Sequence, residues 1–230
     1  MLRAGAPAQR VLIARDLGRS AILGEIRRRA EAAGVAVRIV PKAEIEARAK
    51  GLNHQGVVAE TARYRYTPLP RLLEGDRPAL LFLDGVTDPH NLGSLLRSAD
   101  GAGFNGVVVR SHRSVGVTAT VRRVSAGASE MVPVARVTNL ARALDDARGA
   151  GLWIVGLDGG APDDLWSSDL IERPIGLVLG AEGKGISKAV EARCDALVGI
   201  PLGGRLDSLN VAVAGAVAMF EVLRRSGGSR

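Results

Sequence analysis

Three short stretches of this chain carry polar residue types at spacings suited to binding and group transfer. In the first, Asp88-Pro89-His90-Asn91-Leu92-Gly93 is followed by Arg97-Ser98-Ala99. Leu92, Leu95, Leu96 and Ala99 follow the i, i+3, i+4, i+7 pattern of a helix with one apolar face, so Arg97 lies off the core-facing side, about one and a half turns beyond Asn91. An arginine anchored on a rigid helix near strand ends can grip phosphate or stabilise developing negative charge. In the second stretch, Leu179-Gly180-Ala181-Glu182-Gly183-Lys184-Gly185, the glycines let backbone groups approach a ligand closely and Glu182 sets a carboxylate among them. The third, Ile200 to Asn210, brings the Ser208 hydroxyl and the Asn210 amide to the entrance of a nearly all-apolar helix, Val211 to Phe220. Taken singly, each has an ordinary alternative: a solvated arginine, a glycine-rich surface loop, a pair of helix-capping residues. Together they fit a ligand pocket at the carboxyl edge of a parallel sheet.

Other chemistries are excluded by composition. The single Cys194 rules out an internal disulfide framework and a multi-cysteine zinc site and reads as a small buried residue, while three scattered histidines offer no metal-ligand spacing. Gly101-Ala102-Gly103-Phe104-Asn105-Gly106 matches the dinucleotide fingerprint in letters only, because it ends a helix and precedes a strand where the fingerprint must follow a strand and open a helix. Gly180 to Ser187 lacks the Gly-Lys-Ser/Thr ending of a Walker loop.

The elements that must position the three stretches follow from periodicity. From Ala79 the chain alternates strands and helices: strand Leu80–Leu83, helix Asn91–Gly101, strand Val107–Val109, helix Val121–Ala128, strand Met131–Ala135, helix Asn139–Ala150 and strand Trp153–Leu157. Strand Ile175–Leu179, helix Ser187–Arg193, strand Leu197–Ile200 and helix Val211–Arg225 complete the series. Such alternation predicts a parallel, doubly wound α/β sheet. Upstream, strand Val11–Ala14, helix Ser20–Ala33, strand Val35–Val40, helix Lys42–Lys50 and strand Val57–Ala59 form a small α/β module. The expected division is a small domain over 1–66, a linker over 67–78 with its prolines and basic residues, and a larger domain over 79–230. The last helix carries apolar residues on more than one face, so it is expected to be buried on two sides, one of them a homodimer interface.

Charge points to a polyanionic partner. The formal net charge is +7, and residues 1–77 hold 15 Lys and Arg against 8 Asp and Glu, whereas residues 78–230 hold 16 of each. Clustered cations gain affinity for nucleic acid through phosphate neutralisation and counterion release. No apolar run is long enough to span a bilayer and Met1 to Arg10 lack the apolar core of a secretory signal, so a cytoplasmic protein without membrane contact is expected.

In order and spacing, the three stretches together resemble the SpoU (TrmH-like) branch of the SPOUT superfamily, whose members methylate ribose 2'-hydroxyls of tRNA or rRNA using S-adenosylmethionine. The resemblance covers residues 79–225; residues 11–66, ending in Asn53-His54-Gln55-Gly56-Val57-Val58, are similar to the ribosomal-protein-like RNA-binding domain that precedes many such enzymes. With Met131-Val132-Pro133-Val134 and Thr138-Asn139-Leu140, the arrangement looks most like the branch that modifies a guanosine of 23S ribosomal RNA. The resemblance implies a knotted parallel-sheet catalytic domain with a C-terminal trefoil knot and an obligate homodimer with its active site between subunits. It also implies a methyl-donor site at Leu179, Gly180, Gly183, Ile200, Leu202, Ser208 and Leu209, and a polar active-site set of Arg97, Asn91, Glu182, Ser208 and Asn210. Family N-terminal domains begin with a strand and helix upstream of where this chain starts. Met1-Leu2-Arg3-Ala4-Gly5 resembles the end of that first helix, so the small domain is expected to be N-terminally incomplete or its start site misassigned. Ala212 stands where many relatives carry Ser.

The implied reaction is in-line attack of a ribose 2'-oxygen on the donor methyl group, with Arg97 acting on the RNA phosphate and the developing alkoxide, Asn91 and Ser208 orienting the ribose, and Asn210 and Glu182 holding the loops. Three alternatives stand beside it: tRNA ribose methylation, the ribosomal methylation that confers thiopeptide-antibiotic resistance, and, in a different class, a non-catalytic RNA-binding assembly factor. A nucleotide-dependent dehydrogenase rests only on the misplaced glycines.

Overall fold

The computed structural model describes residues 8–18, 20–51, 53–172 and 174–227, so the reading of Met1–Gly5 as a helix end lies outside the described residues. The chain divides into two compact units, Met1–Arg65 and Tyr66–Arg230.

In the first unit, β1 (Ala8–Ala14), α1 (Ala21–Ala32), β2 (Ala36–Val40), α2 (Lys42–Ala49) and β3 (Val57–Thr61) follow in order. β1 is central, parallel to β2 and antiparallel to β3. Its apolar run is buried on both faces, Leu12 and Ala14 meeting Val40 and Ile45, Val11 and Ile13 meeting Ala30. The Ser20 side chain caps α1 by accepting from the Leu23 N–H at 3.2 Å.

In the second unit, a helical turn α3 (Leu69–Leu72) precedes β4 (Ala79–Asp84), α4 (Pro89–Gly101), β5 (Gly106–Arg110), α5 (Ala119–Val124) and β6 (Val134–Val137). Then come α6 (Leu140–Gly149), β7 (Trp153–Leu157), β8 (Asp163–Asp164), β9 (Ile175–Gly180), α7 (Lys188–Glu191), β10 (Ala196–Gly199) and α8 (Val211–Arg225). Seven strands pair in the order β6-β5-β4-β9-β7-β10-β8, all parallel. All six residues of β4 are buried, as its unbroken apolar run requires. Leu80 and Phe82 face a core that includes Leu69, Leu72, Leu144, Ile154 and Val178. On the opposite face α8 presses against β9 and α4: a Cβ added at Gly215 would lie 2.5 Å from a Leu95 methyl and 2.6 Å from one of Leu179. Only glycine permits that approach.

Three expectations differ from the structure. Residues 67–78, whose composition suggests a linker, belong to the second unit and place Leu69 and Leu72 in its core. The helix expected over Val121–Ala128 ends at Val124 because Ala126 (φ 53°) and Gly127 (φ 100°) adopt left-handed backbone. A 3-10 turn, Ala128–Glu130, and Pro133 then delay β6, which leaves Met131 exposed rather than in a strand. The two-residue β8 has no periodicity of its own to detect.

Candidate active site

Parallel strands β4, β9, β7 and β10 end on the same side of the sheet, and the loops leaving β7, β9 and β10 build one cleft of about 840 Å³. That volume is in the range that holds a small organic ligand. Residues 157–160 at the end of β7, 179–185 at the end of β9, and Ile200, Leu202 and 207–211 after β10 line it.

Each loop has a local cause. Asp88 caps α4, accepting from the His90 N–H at 2.8 Å; that backbone bond holds its carboxyl below the usual carboxylate range. Beyond β9 the chain turns on itself, Ala181 and Gly185 exchanging backbone hydrogen bonds of 3.0 and 2.9 Å. A Cβ at Gly180 would fall 2.1 Å from the Gly185 carbonyl carbon, so this turn closes only on glycine. Asn210 caps α8, its Oδ1 accepting from Ala212 N–H at 2.9 Å and Val213 N–H at 3.3 Å.

These constraints bring three polar side chains together across 119 residues of sequence. With Oδ1 occupied by the cap, Asn210 Nδ2 donates to Glu182 Oε1 at 2.9 Å and to Asn91 Oδ1 at 3.1 Å. Asn91 Nδ2 donates to the same Glu182 oxygen at 2.9 Å. Thus one carboxylate oxygen receives two amide donors, and the loops after β4, β9 and β10 are tied at one point. Behind them, buried Asp84 at the end of β4 accepts from Arg110 at 2.9 Å and from the Ser187 N–H at 2.8 Å, joining the ends of β4 and β5 to the start of α7.

Leu179, Gly180, Gly183, Ile200, Leu202, Ser208 and Leu209 all line the cleft, as do Glu182 and Asn210. Asn91 is buried one hydrogen bond away. Arg97 lies elsewhere: it is exposed on α4, outside the cleft lining, and makes no hydrogen bond or ion pair among the described residues. Sequence reasoning passed over Asp158, Gly159 and Gly160, Lys184 and Asp207, which also line the cleft, and Asp84 beneath it. The signals were present: Asp-Gly-Gly directly after an apolar strand, and an acid closing the wholly apolar β4. Cys194 is half-buried; burial first, then Asp195 and Glu191, push its thiol up to about 11, which leaves it an unreactive thiol. Among the described residues no His, Cys, Asp and Glu cluster suits a metal, and no helix is long and apolar enough to cross a membrane.

The sequence profile of the SpoU rRNA Methylase family matches residues 78–220, and that of the RNA 2'-O ribose methyltransferase substrate-binding domain matches residues 1–67. A 23S rRNA (guanosine-2'-O-)-methyltransferase, RlmB, of Yersinia pestis is 45% identical over 201 residues, spanning 86% of this chain and 81% of the relative. Its Escherichia coli K12 counterpart is 42% identical over 199 residues, 85% and 82% of the two chains. Among solved structures, an AdoMet-bound rRNA methyltransferase from Sinorhizobium meliloti superposes with TM-score 0.79 at 27% identity, covering 97% of this chain and 82% of that one. AviRb, a SpoU methyltransferase from Streptomyces viridochromogenes in complex with AdoMet, gives TM-score 0.77 at 27% identity over 97% and 85%.

Proposed function

The chain belongs to the SpoU rRNA methylase family, and on that premise we propose that its cleft catalyses methyl transfer from S-adenosylmethionine to a ribose 2'-hydroxyl of ribosomal RNA, a guanosine of 23S rRNA being the acceptor. The observation that carries this reading is the meeting of Asn91 from the first turn of α4, Glu182 from the turn after β9 and Asn210 from the cap of α8, at the margin of a cleft walled by backbone and apolar side chains.

The residues present fit the donor. Leu157, Leu179, Ile200 and Leu202 offer apolar surface to an adenine ring, and Asp158 and Asp207 offer carboxylates to a cationic, hydroxyl-bearing ligand. Bound there, S-adenosylmethionine supplies a methyl group made electrophilic by its sulfonium charge. The loop backbone at Leu179, Gly180, Gly183, Ile200, Leu202 and Leu209, with Ser208, would hold it. Glu182 and Asn210 fix the loops, Asn91 joins them, and Ser208 orients the acceptor ribose. A guanidinium offers donors and no acceptor, so the role of Arg97 is to stabilise the developing alkoxide and grip phosphate.

Arg97 stands on α4 apart from its own cleft, and α8 beside it shows solvent an apolar stripe with Val213 and Phe220 exposed. Both features support a homodimer in which the active site lies between subunits. The implied trefoil knot belongs to the same proposal: from β10, beyond β7, the chain returns through Ile200–Asn210 so that α8 packs on β9 and α4. The basic small unit delivers the RNA, in the cytoplasm where ribosomes are assembled.

The test combines calorimetric titration of S-adenosylmethionine with mapping of 2'-O-methyl groups on 23S rRNA treated with the protein. Donor binding and a single methylated guanosine are expected. In Arg97→Ala, methylation should fall by at least about 100-fold, as for loss of one charge-stabilising donor, with donor affinity nearly unchanged. Methylation of tRNA alone would move the assignment to a tRNA acceptor, and full turnover in Arg97→Ala would remove that residue from the mechanism.

A further inference from the structure

Residues 78–230 balance in charge overall, yet the segment from Arg110 to Arg136 holds five arginines against the single acid Glu130. Two are neutralised within the protein, Arg110 by Asp84 and Arg122 by Glu130. Arg113 and Arg136 are exposed, and neither makes an ion pair among the described residues. Both belong to the surroundings of one loop, Ser111–Val117, that leaves the carboxyl end of β5.

That loop is firmly held for an exposed segment. The Arg110–Asp84 pair fixes its base, and the Ser111 N–H donates to Val137 O at 2.7 Å. The Val115 N–H and the Ser114 hydroxyl both donate to Val86 O at 3.0 Å. The Val117 N–H donates to the Tyr66 hydroxyl at 3.0 Å, and a Cβ at Gly116 would lie 2.6 Å from that oxygen. Arg136 donates to Ser111 O at 2.8 Å while its guanidinium lies 5.5 Å from the centre of the Tyr66 ring. Arg113 itself adopts φ 56°, a left-handed conformation that costs a side-chain-bearing residue and persists where surrounding structure imposes it. The loop also borders the cleft: a Cβ at Gly85 would be 3.4 Å from Ala181 Cβ, which lines the cleft, and 3.9 Å from Arg113 O.

We infer that the Ser111–Val117 loop, with Arg113 and the adjacent Arg136, is a preformed seat for the phosphate backbone of the acceptor RNA, holding the strand at the β4–β5 side of the cleft. The inference rests on the methyltransferase reading and adds to it a contact surface in the catalytic unit. RNA is the occupant because two guanidinium groups without an acidic partner among the described residues, beside a methyl-donor cleft, match closely spaced phosphates, and a loop ordered in advance loses little entropy on binding.

Arg113→Gly tests it without a folding artefact, since glycine adopts φ 56° freely. Filter binding of a 23S rRNA transcript across potassium chloride concentrations should show affinity lowered on the order of tenfold, as for loss of a charge-assisted contact. The slope of log affinity against log salt should flatten by about 0.7 to 0.9, one phosphate contact. S-adenosylmethionine affinity should be unchanged, and Arg113→Lys should keep the salt slope. Wild-type RNA affinity and slope in Arg113→Gly would overturn the inference, as would a loss of donor binding in that variant. Wild-type protein indifferent to both RNA and donor would instead bring down the methyltransferase reading and the loop with it.

Discussion

Glu182 shows how one residue gains a role from its partners. A carboxylate on a glycine-rich turn is ordinarily a solvated group, but here one of its oxygens accepts from Asn91 and Asn210 together. Hydrogen bonds to a charged acceptor are stronger than neutral ones, and an amide left buried without a partner costs about 1–3 kcal/mol. Glu182→Ala strands the buried Asn91 amide and should lower unfolding free energy by about that amount, read from urea denaturation. Glu182→Gln keeps an acceptor oxygen in place and should lose about half as much or less; equal losses in the two variants would show that packing, not the shared oxygen, holds the loops. The types and positions of Asn91, Glu182 and Asn210 were readable in the sequence because caps and glycine turns are local signals. Their convergence was not, since it depends on strand order, and Asp84 was unreadable as a tether because its partners, Arg110 and Ser187, lie 26 and 103 residues away.

At the scale of elements, α8 was legible to its ends: Asn210 caps it, a nearly all-apolar run carries it from Val211 to Phe220, and basic residues close it at Arg225. Its C-terminal turn contains a feature that pattern alone does not reveal. Buried Glu221 accepts from Arg224 at 2.7 Å and from Arg225 at 2.9 Å, and Arg225 also donates to Ser168 O at 2.8 Å and to Trp166 O. The hydrogen bonds, that of Arg224 foremost, outweigh burial and hold the Glu221 carboxyl down from its ordinary 4.5 to about 2. A carboxyl more acidic in the folded state contributes stability that is complete above its unfolded value and disappears as pH falls through the folded one. Wild-type protein should therefore melt above Glu221→Gln at pH 6, and the gap should narrow between about pH 4.5 and 2. A gap independent of pH in thermal scans would assign the difference to packing. Where elements were misread, a local conformation decided: left-handed Ala126 and Gly127 cut α5 short and displaced β6.

For the molecule as a whole, β–α alternation foretold a parallel sheet, because strands buried on both faces must be apolar throughout. It did not foretell that β9 would insert between β4 and β7, or that β10 would lie beyond β7, since pairing order is no property of any one segment. That order places the last helix over β9 and α4 and leaves its other side outward. Ala212, Gly215, Ala218, Met219 and Val222 are buried against the protein's own core, while Val213 and Phe220, seven residues apart and therefore on one stripe, are 51% and 47% exposed. Two large apolar side chains on one stripe of this helix would be uncovered in a monomer, and a second copy of α8 is the partner that symmetry offers. Sedimentation equilibrium at micromolar concentration should accordingly give about twice the 24.0 kDa chain mass. Phe220→Glu, which sets a charge at a position half-open to solvent, should leave the fold intact by circular dichroism and shift the mass to that of one chain. Because Arg97 lies outside its own cleft, the same variant should lose methyl transfer while the separate chain still binds donor. A monomeric wild-type protein, or full turnover in a monomeric Phe220→Glu, would mean that a single cleft works alone and that Arg97 must reach the acceptor from its own subunit.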